Sequence, residues 1–138
     1  MAKRMTRKEI EKFGQRALKE KGATVRNFLK RKVRIDLIAI LLGKPNKPNF
    51  SRASSYLYKG VKLNELEMLK IEECYMCARI IDQLRHFEKG ADREVARNWL
   101  ALCCSYLEDH APILVIRDGT GYNHLSALGA AKTFVLNK

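Results

Sequence analysis

Four cysteines are the first residues whose types and spacing invite chemistry. Cys74 and Cys77 form a C-x-x-C pair and Cys103 and Cys104 are neighbours, so two thiol pairs are at hand for a zinc site with all-thiolate ligands. Their placement argues against one. Both pairs fall in stretches that read as helix, where residues at i and i+3 share a face but adjacent residues diverge by about 100°. A free cysteine is also a small, commonly buried hydrophobe. With no secretory signal in view, the expectation is reduced thiols, no metal and no cofactor. His86, His110 and His124 stand in no metal or triad spacing, and Glu108, Asp109 and His110 read as a polar helix end rather than an acid–base pair. The G-x-G of Gly119 and Gly121 follows no strand, so it reads as a turn. No catalytic residue is expected.

Charge offers a different chemistry, that of binding. The net charge is +12, and residues 1–34 hold thirteen of the 27 basic residues against three acidic ones, a local excess of +10. An excess of this kind suits a polyanion, and phosphate neutralisation releases counterions. Lys3, Arg4, Arg7, Lys8, Lys12, Arg16, Arg26, Lys30, Arg31, Lys32 and Arg34 are the candidate phosphate contacts of this segment. The competing account is a solubilising tail. A membrane surface is not expected, because the apolar residues here are too sparse for stable peripheral binding. The charged start, MAKRMTRKEIEKF, does not resemble a signal peptide, and the longest apolar run, Leu37 to Leu42, is far shorter than a span. A cytoplasmic location is the expectation.

The elements that must position these residues read as all-α. Hydrophobic residues make up 46% of the chain, enough to require a packed core. Thr6 and Glu9 make a capping box ahead of Ile10, Phe13, Ala17 and Leu18 at helical spacing, and Gly22 stops that helix. Thr24 caps a second helix carrying Val25, Phe28, Leu29 and Val33. RIDLIAILLG is a short apolar helix ending at Gly43, and the prolines of Lys44–Asn49 make a loop. Phe50–Gly60 follows as a helix with Ser51 as N-cap. A long helix from Asn64 to Phe87 is built on Leu66, Leu69, Ile71, Met76, Ile80, Ile81 and Leu84, and Gly90 breaks it. Asp92 caps a helix burying Val95, Ala96, Trp99, Leu100 and Leu102. Pro112 opens a short segment, and the last helix runs from Tyr122 to Val135. The expected organisation is a basic N-terminal helical arm (1–34), a helix-turn-helix region (35–62) and a helical C-terminal partner-binding or dimerisation region (63–138).

Within 35–62, a short apolar helix, a turn and a serine-rich helix have the layout of a helix-turn-helix. Ala39 allows close packing, and Ser51, Arg52, Ser54 and Ser55 crowd the start of the second helix, where base edges are read; Lys44, Lys47 and Lys59 flank it. Arg52 is best suited to a guanine edge. The same pattern also describes an ordinary helical hairpin with a serine cap.

The stretches LLG…SRASSYLYKGVKLNELEMLKIEECYMCARIIDQLRHF, DREVARNWL and APILVI…GYNHLSALGAAKTFV resemble the Xre/MbcA/ParS antitoxin family over about residues 35–138. Ala96, Trp99 and Leu100, then Pro112, Ile113 and Leu114, then Gly121, then Leu125 to Val135 carry the likeness. The chain departs from it at Glu108, Asp109 and His110, where the family usually has a Gly-rich turn. The resemblance implies an Xre-type helix-turn-helix joined to a helical toxin-binding domain, a homodimer, and a partner that is often an NAD-degrading toxin of the RES type. It also implies that Pro112, Ile113, Leu114, Gly121, Leu125 and Leu128 contact the partner. The expectation is a DNA-binding, antitoxin-like transcription regulator on duplex DNA. Two rivals stay open: a phage or mobile-element accessory protein binding DNA or RNA, and an inhibitor of an acidic-surfaced enzyme.

Overall fold

The computed structural model describes residues 5–87, 93–119 and 126–137, and every regular element among them is helical. Helix α1 spans Arg7–Leu18, α2 Gly22–Lys32, α3 Ile35–Leu42, α4 Lys47–Lys59, α5 Glu65–Asp82, α6 Leu84–Phe87, α7 Val95–Ala101, α8 Pro112–Arg117 and α9 Ala127–Leu136, with a 3-10 turn at Ser105–Leu107. The expectations placed on Lys3, Arg4, Gly90, Asp92, Gly121, Tyr122, His124 and Leu125 lie outside the described residues.

Helix α5 is the axis of the molecule. Asn64 and Glu67 close a capping box at its start, and Ile71, Cys74, Tyr75, Cys77, Ala78, Ile80 and Ile81 bury more than one of its faces. A helix apolar on several sides must be enclosed, and α1, α2, α3, α7, α8 and α9 all pack on it. Small thiols at Cys74 and Cys77 suit such close approach. Gln83 separates α5 from α6, so the long helix expected to reach Phe87 is two pieces.

The first two helices are seated on this axis. Ile10, Gly14 and Ala17 of α1 and Phe28 and Leu29 of α2 are buried, and Met5 through Val135 contribute to one hydrophobic core. Helix α3 is almost wholly apolar and is enclosed by α4, α5 and α8. Ala39 of α3 and Ala53 of α4 are both fully buried, as close helix packing requires.

Several sequence expectations need correction. Asn46, not Ser51, caps α4: its side-chain oxygen accepts from the Asn49 amide at 3.0 Å, and Pro48 sits inside the first turn. First-turn amides have no intrahelical acceptor, so proline costs nothing there. Helix α2 starts at Gly22 behind Lys21 rather than at a Thr24 cap. Leu66, Leu69 and Leu102, expected in the core, are 62%, 57% and 64% exposed. Cys103 and Cys104 follow α7 and are not helical; Cys104 pairs with His110 as an isolated bridge. That bridge closes a turn in which Glu108 and Asp109 both take positive φ, 54° and 65°.

Candidate nucleic-acid interface

The segment 5–64 contains sixteen basic and four acidic residues, and the fold sorts the two signs. Each acid has an internal partner. Glu9 accepts from the Thr6 amide in the α1 capping box, and Glu11 pairs with Lys132 of α9 at 3.1 Å. Glu20 pairs with Arg79 of α5 at 2.9 Å and accepts from the Tyr75 hydroxyl. Asp36 is gripped by both terminal nitrogens of Arg97, one at 2.8 Å, and that guanidinium also donates to the Val33 carbonyl at the end of α2. The Arg97 hydrogen bond, partly offset by burial, holds the Asp36 carboxyl below its usual range.

The bases point the other way. In α1, residues advance about 100° each, so Lys8, Lys12 and Lys19 form a stripe opposite Ile10, Gly14 and Ala17, flanked by Arg16; all four are exposed. In α2 the exposed Asn27 and Arg31 lie opposite the buried Phe28–Leu29 side. Arg26 and Lys30 sit on its edge toward α4. The Lys30 ammonium is 5.0 Å from the centre of the Tyr58 ring. The Arg26 guanidinium lies over Gly60, where an added Cβ would meet it at 3.4 Å. Gly60 itself ends α4 with a left-handed φ of 70°, which glycine adopts without strain.

Arg79 fastens this surface to the axis. Its guanidinium carbon is 5.2 Å from the ring centres of Phe13 in α1 and Phe28 in α2, and 5.9 Å from that of Tyr75. Rings attract a cation through their quadrupole, more strongly when water is excluded. Burial and the neighbouring Glu20 raise the Tyr75 hydroxyl pKa, so it stays a donor.

The sequence candidates divide accordingly. Arg7, Lys8, Lys12, Arg16, Arg31, Lys44, Lys47, Ser51 and Lys59 are exposed, and Arg26, Lys30, Ser54 and Ser55 are half-buried at the surface. Three others are committed within the fold: Lys32 to Asp82 at 3.6 Å, Arg34 to Glu94, and Arg52 to Glu67. Glu67 is the buried capping residue of α5, so Arg52, the expected reader of base edges, is tied into a helix cap. Sequence reasoning did not single out Tyr58, Lys19 or Lys62. The signal was present for Tyr58, which lies one turn beyond Ser54 on the side of α4 that the apolar pattern leaves free.

Of the residues expected to contact a partner in the C-terminal half, those described are buried or half-buried. Pro112 and Ile113 are buried, because α8 packs against α3, α5 and α7, and Leu114 and Leu128 are half-buried against the core. Among the described residues of that half, Leu66, Leu69, Leu102 and Tyr106 are exposed, the last two beside a groove of about 520 Å³ lined also by Trp99 and Phe134. Cys74 and Cys77 are fully buried, and burial pushes the Cys74 thiol up to about 12. Cys103 is exposed. Among the described residues no three His, Cys, Asp or Glu side chains gather as metal ligands, and no helix is long and apolar enough to cross a membrane. No protein-family model matches the chain, and comparisons with curated proteins and with solved structures give no match.

Proposed function

We propose that the chain is a non-catalytic nucleic-acid-binding protein that holds the phosphate backbone on the basic faces of α1, α2 and the C-terminal half of α4. The observation that carries this reading is the sorting of charge. All four acids of residues 5–64 have a partner within the protein, Glu11 and Asp36 at 48% and 46% side-chain exposure, while Lys8, Lys12, Arg16, Lys19 and Arg31 face water. A surface with so large a positive excess attracts a polyanion over a Debye length and releases its counterions on contact. Deleting residues 1–34 would be a poor test, since Ile10, Ala17, Phe28, Leu29 and Val33 belong to the core. Charge reversal at exposed positions is the right one. In a chain with Lys8→Glu, Lys12→Glu and Arg31→Glu, affinity for a labelled 20-mer at about 0.1 M salt is expected to fall more than 10-fold, because about three phosphate contacts go. Unchanged affinity with an unchanged thermal midpoint would reject the reading.

A more specific form has one observation in its favour. The α3–α4 pair, with Ala39 and Ala53 in contact with the core and a tight connection at Gly43–Asn46, has the packing a helix-turn-helix needs. With the resemblance to Xre/MbcA/ParS antitoxins, it supports an operator-binding regulator, acting as a homodimer beside a RES-type toxin. In that form Ser51 and Ser54 of α4, rather than Arg52, are free to meet base edges. Selection from a random duplex library tests it: an enriched sequence whose binding falls on Ser51→Ala or Ser54→Ala supports it, and no enrichment sinks it.

A further inference from the structure

We propose that Tyr58 is a stacking platform for an unpaired base, so that the basic face of α2 and α4 takes single-stranded nucleic acid in preference to duplex. The inference rests on the nucleic-acid reading and names its substrate class. Tyr58 is 65% exposed, the most exposed aromatic ring among the described residues, and it adds nothing to the core. Its neighbours in α4, Tyr56 and Leu57, bury their side chains, so the helix turns Tyr58 outward by its own periodicity.

The surroundings of the ring are those of a strand-binding site. The Lys30 ammonium lies over the ring, 5.0 Å from its centre, and the side chain is still 65% exposed. Arg26, over Gly60 two residues beyond the ring, adds a second cation, and Arg31 and Lys59 are exposed on the same two helices. Neither α2 (GATVRNFLKRK) nor α4 (KPNFSRASSYLYK) contains an acidic residue. A base stacked on the exposed ring would carry its own phosphates toward these cations. Every base has a π-face, so such a contact is tolerant of sequence. In duplex both faces of an internal base are already stacked on its neighbours, and Tyr58 has nothing to receive.

The test uses the full chain and three labelled probes: a mixed-sequence single strand, a single strand of the same length and charge with abasic sites at most positions, and a duplex of the mixed sequence. The expected result is that the wild type binds the intact strand about 5- to 150-fold more tightly than the abasic one, the range of one stacked base. Tyr58→Ala should remove that preference and leave duplex affinity unchanged, with no loss of thermal stability from so exposed a side chain. Tyr58→Phe should keep the preference, since the ring and not the hydroxyl carries it. Equal wild-type affinity for intact and abasic strands overturns the inference alone. So does a preference that survives Tyr58→Ala, or a Tyr58→Ala loss equal on strand and duplex, which would make Tyr58 a phosphate contact. Failure of the wild type to bind any of the three probes at low salt overturns the nucleic-acid reading itself.

Discussion

Arg79 ties the two basic helices α1 and α2 to the central helix through a single guanidinium. It faces the Phe13, Phe28 and Tyr75 rings and the Glu20 carboxylate together, so one side chain joins α1 and α2 to α5. Arg79→Ala is expected to destabilise the protein by on the order of 2 kcal/mol, since it strands a largely buried Glu20 and removes three ring contacts; urea unfolding measures this. Asp36 gives a pH dependence of definite sign. Its pKa is lower folded than unfolded because of Arg97, so the stabilisation is complete above about pH 4 and is lost as pH falls through the folded value. Asp36 is partly exposed, so the effect is at most about 1 kcal/mol. Thermal midpoints of wild type and Asp36→Asn should converge toward pH 3 and separate by pH 6; parallel curves would contradict this. Among the described thiols, only Cys103 is exposed. One fast-reacting thiol per native chain is expected with an aromatic disulfide reagent, none in Cys103→Ser, and four in denaturant.

At the scale of elements, the sequence was most legible where local chemistry decides. The Thr6–Glu9 capping box, a helix beginning at Asn64, another ending at Gly60 and Pro112 at the start of a short helix all stand as read, because each is settled within about four residues. What was not legible depends on distant partners. Leu66 and Leu69 share the helical spacing of true core positions, but among the described residues they only border a groove with Ile116 and Arg117 of α8 and stay 62% and 57% exposed. Prolines at 45 and 48 suggested a loop, yet one is accommodated inside the first turn once Asn46 supplies the cap. This yields a discriminating pair for urea unfolding: Asn46→Ala should cost about 1 kcal/mol, whereas Ser51→Ala should be nearly neutral. Equal losses at the two positions would return the cap to Ser51.

For the whole molecule, charge is divided along the chain. Residues 65–138 contain nine basic and eleven acidic residues, so the positive charge belongs to the N-terminal half. Composition made that asymmetry legible. Composition left open which charges cancel, because the partners of Glu11, Glu20 and Asp36 lie in α9, α5 and α7, 121, 59 and 61 residues away. Arg52 is likewise paired, to Glu67 of α5, while the adjacent α2–α4 packing brings Lys30 to Tyr58. The central claim is that the surface left over binds phosphates, and its most direct test is the salt dependence of oligonucleotide affinity. For wild type, log K against log salt between about 50 and 200 mM should fall with a slope steeper than about −3, as several released counterions require. The Lys8→Glu, Lys12→Glu, Arg31→Glu chain should show a slope shallower by roughly 2 to 3. A salt-independent affinity, or a wild-type slope that charge reversal leaves unchanged, would contradict the account.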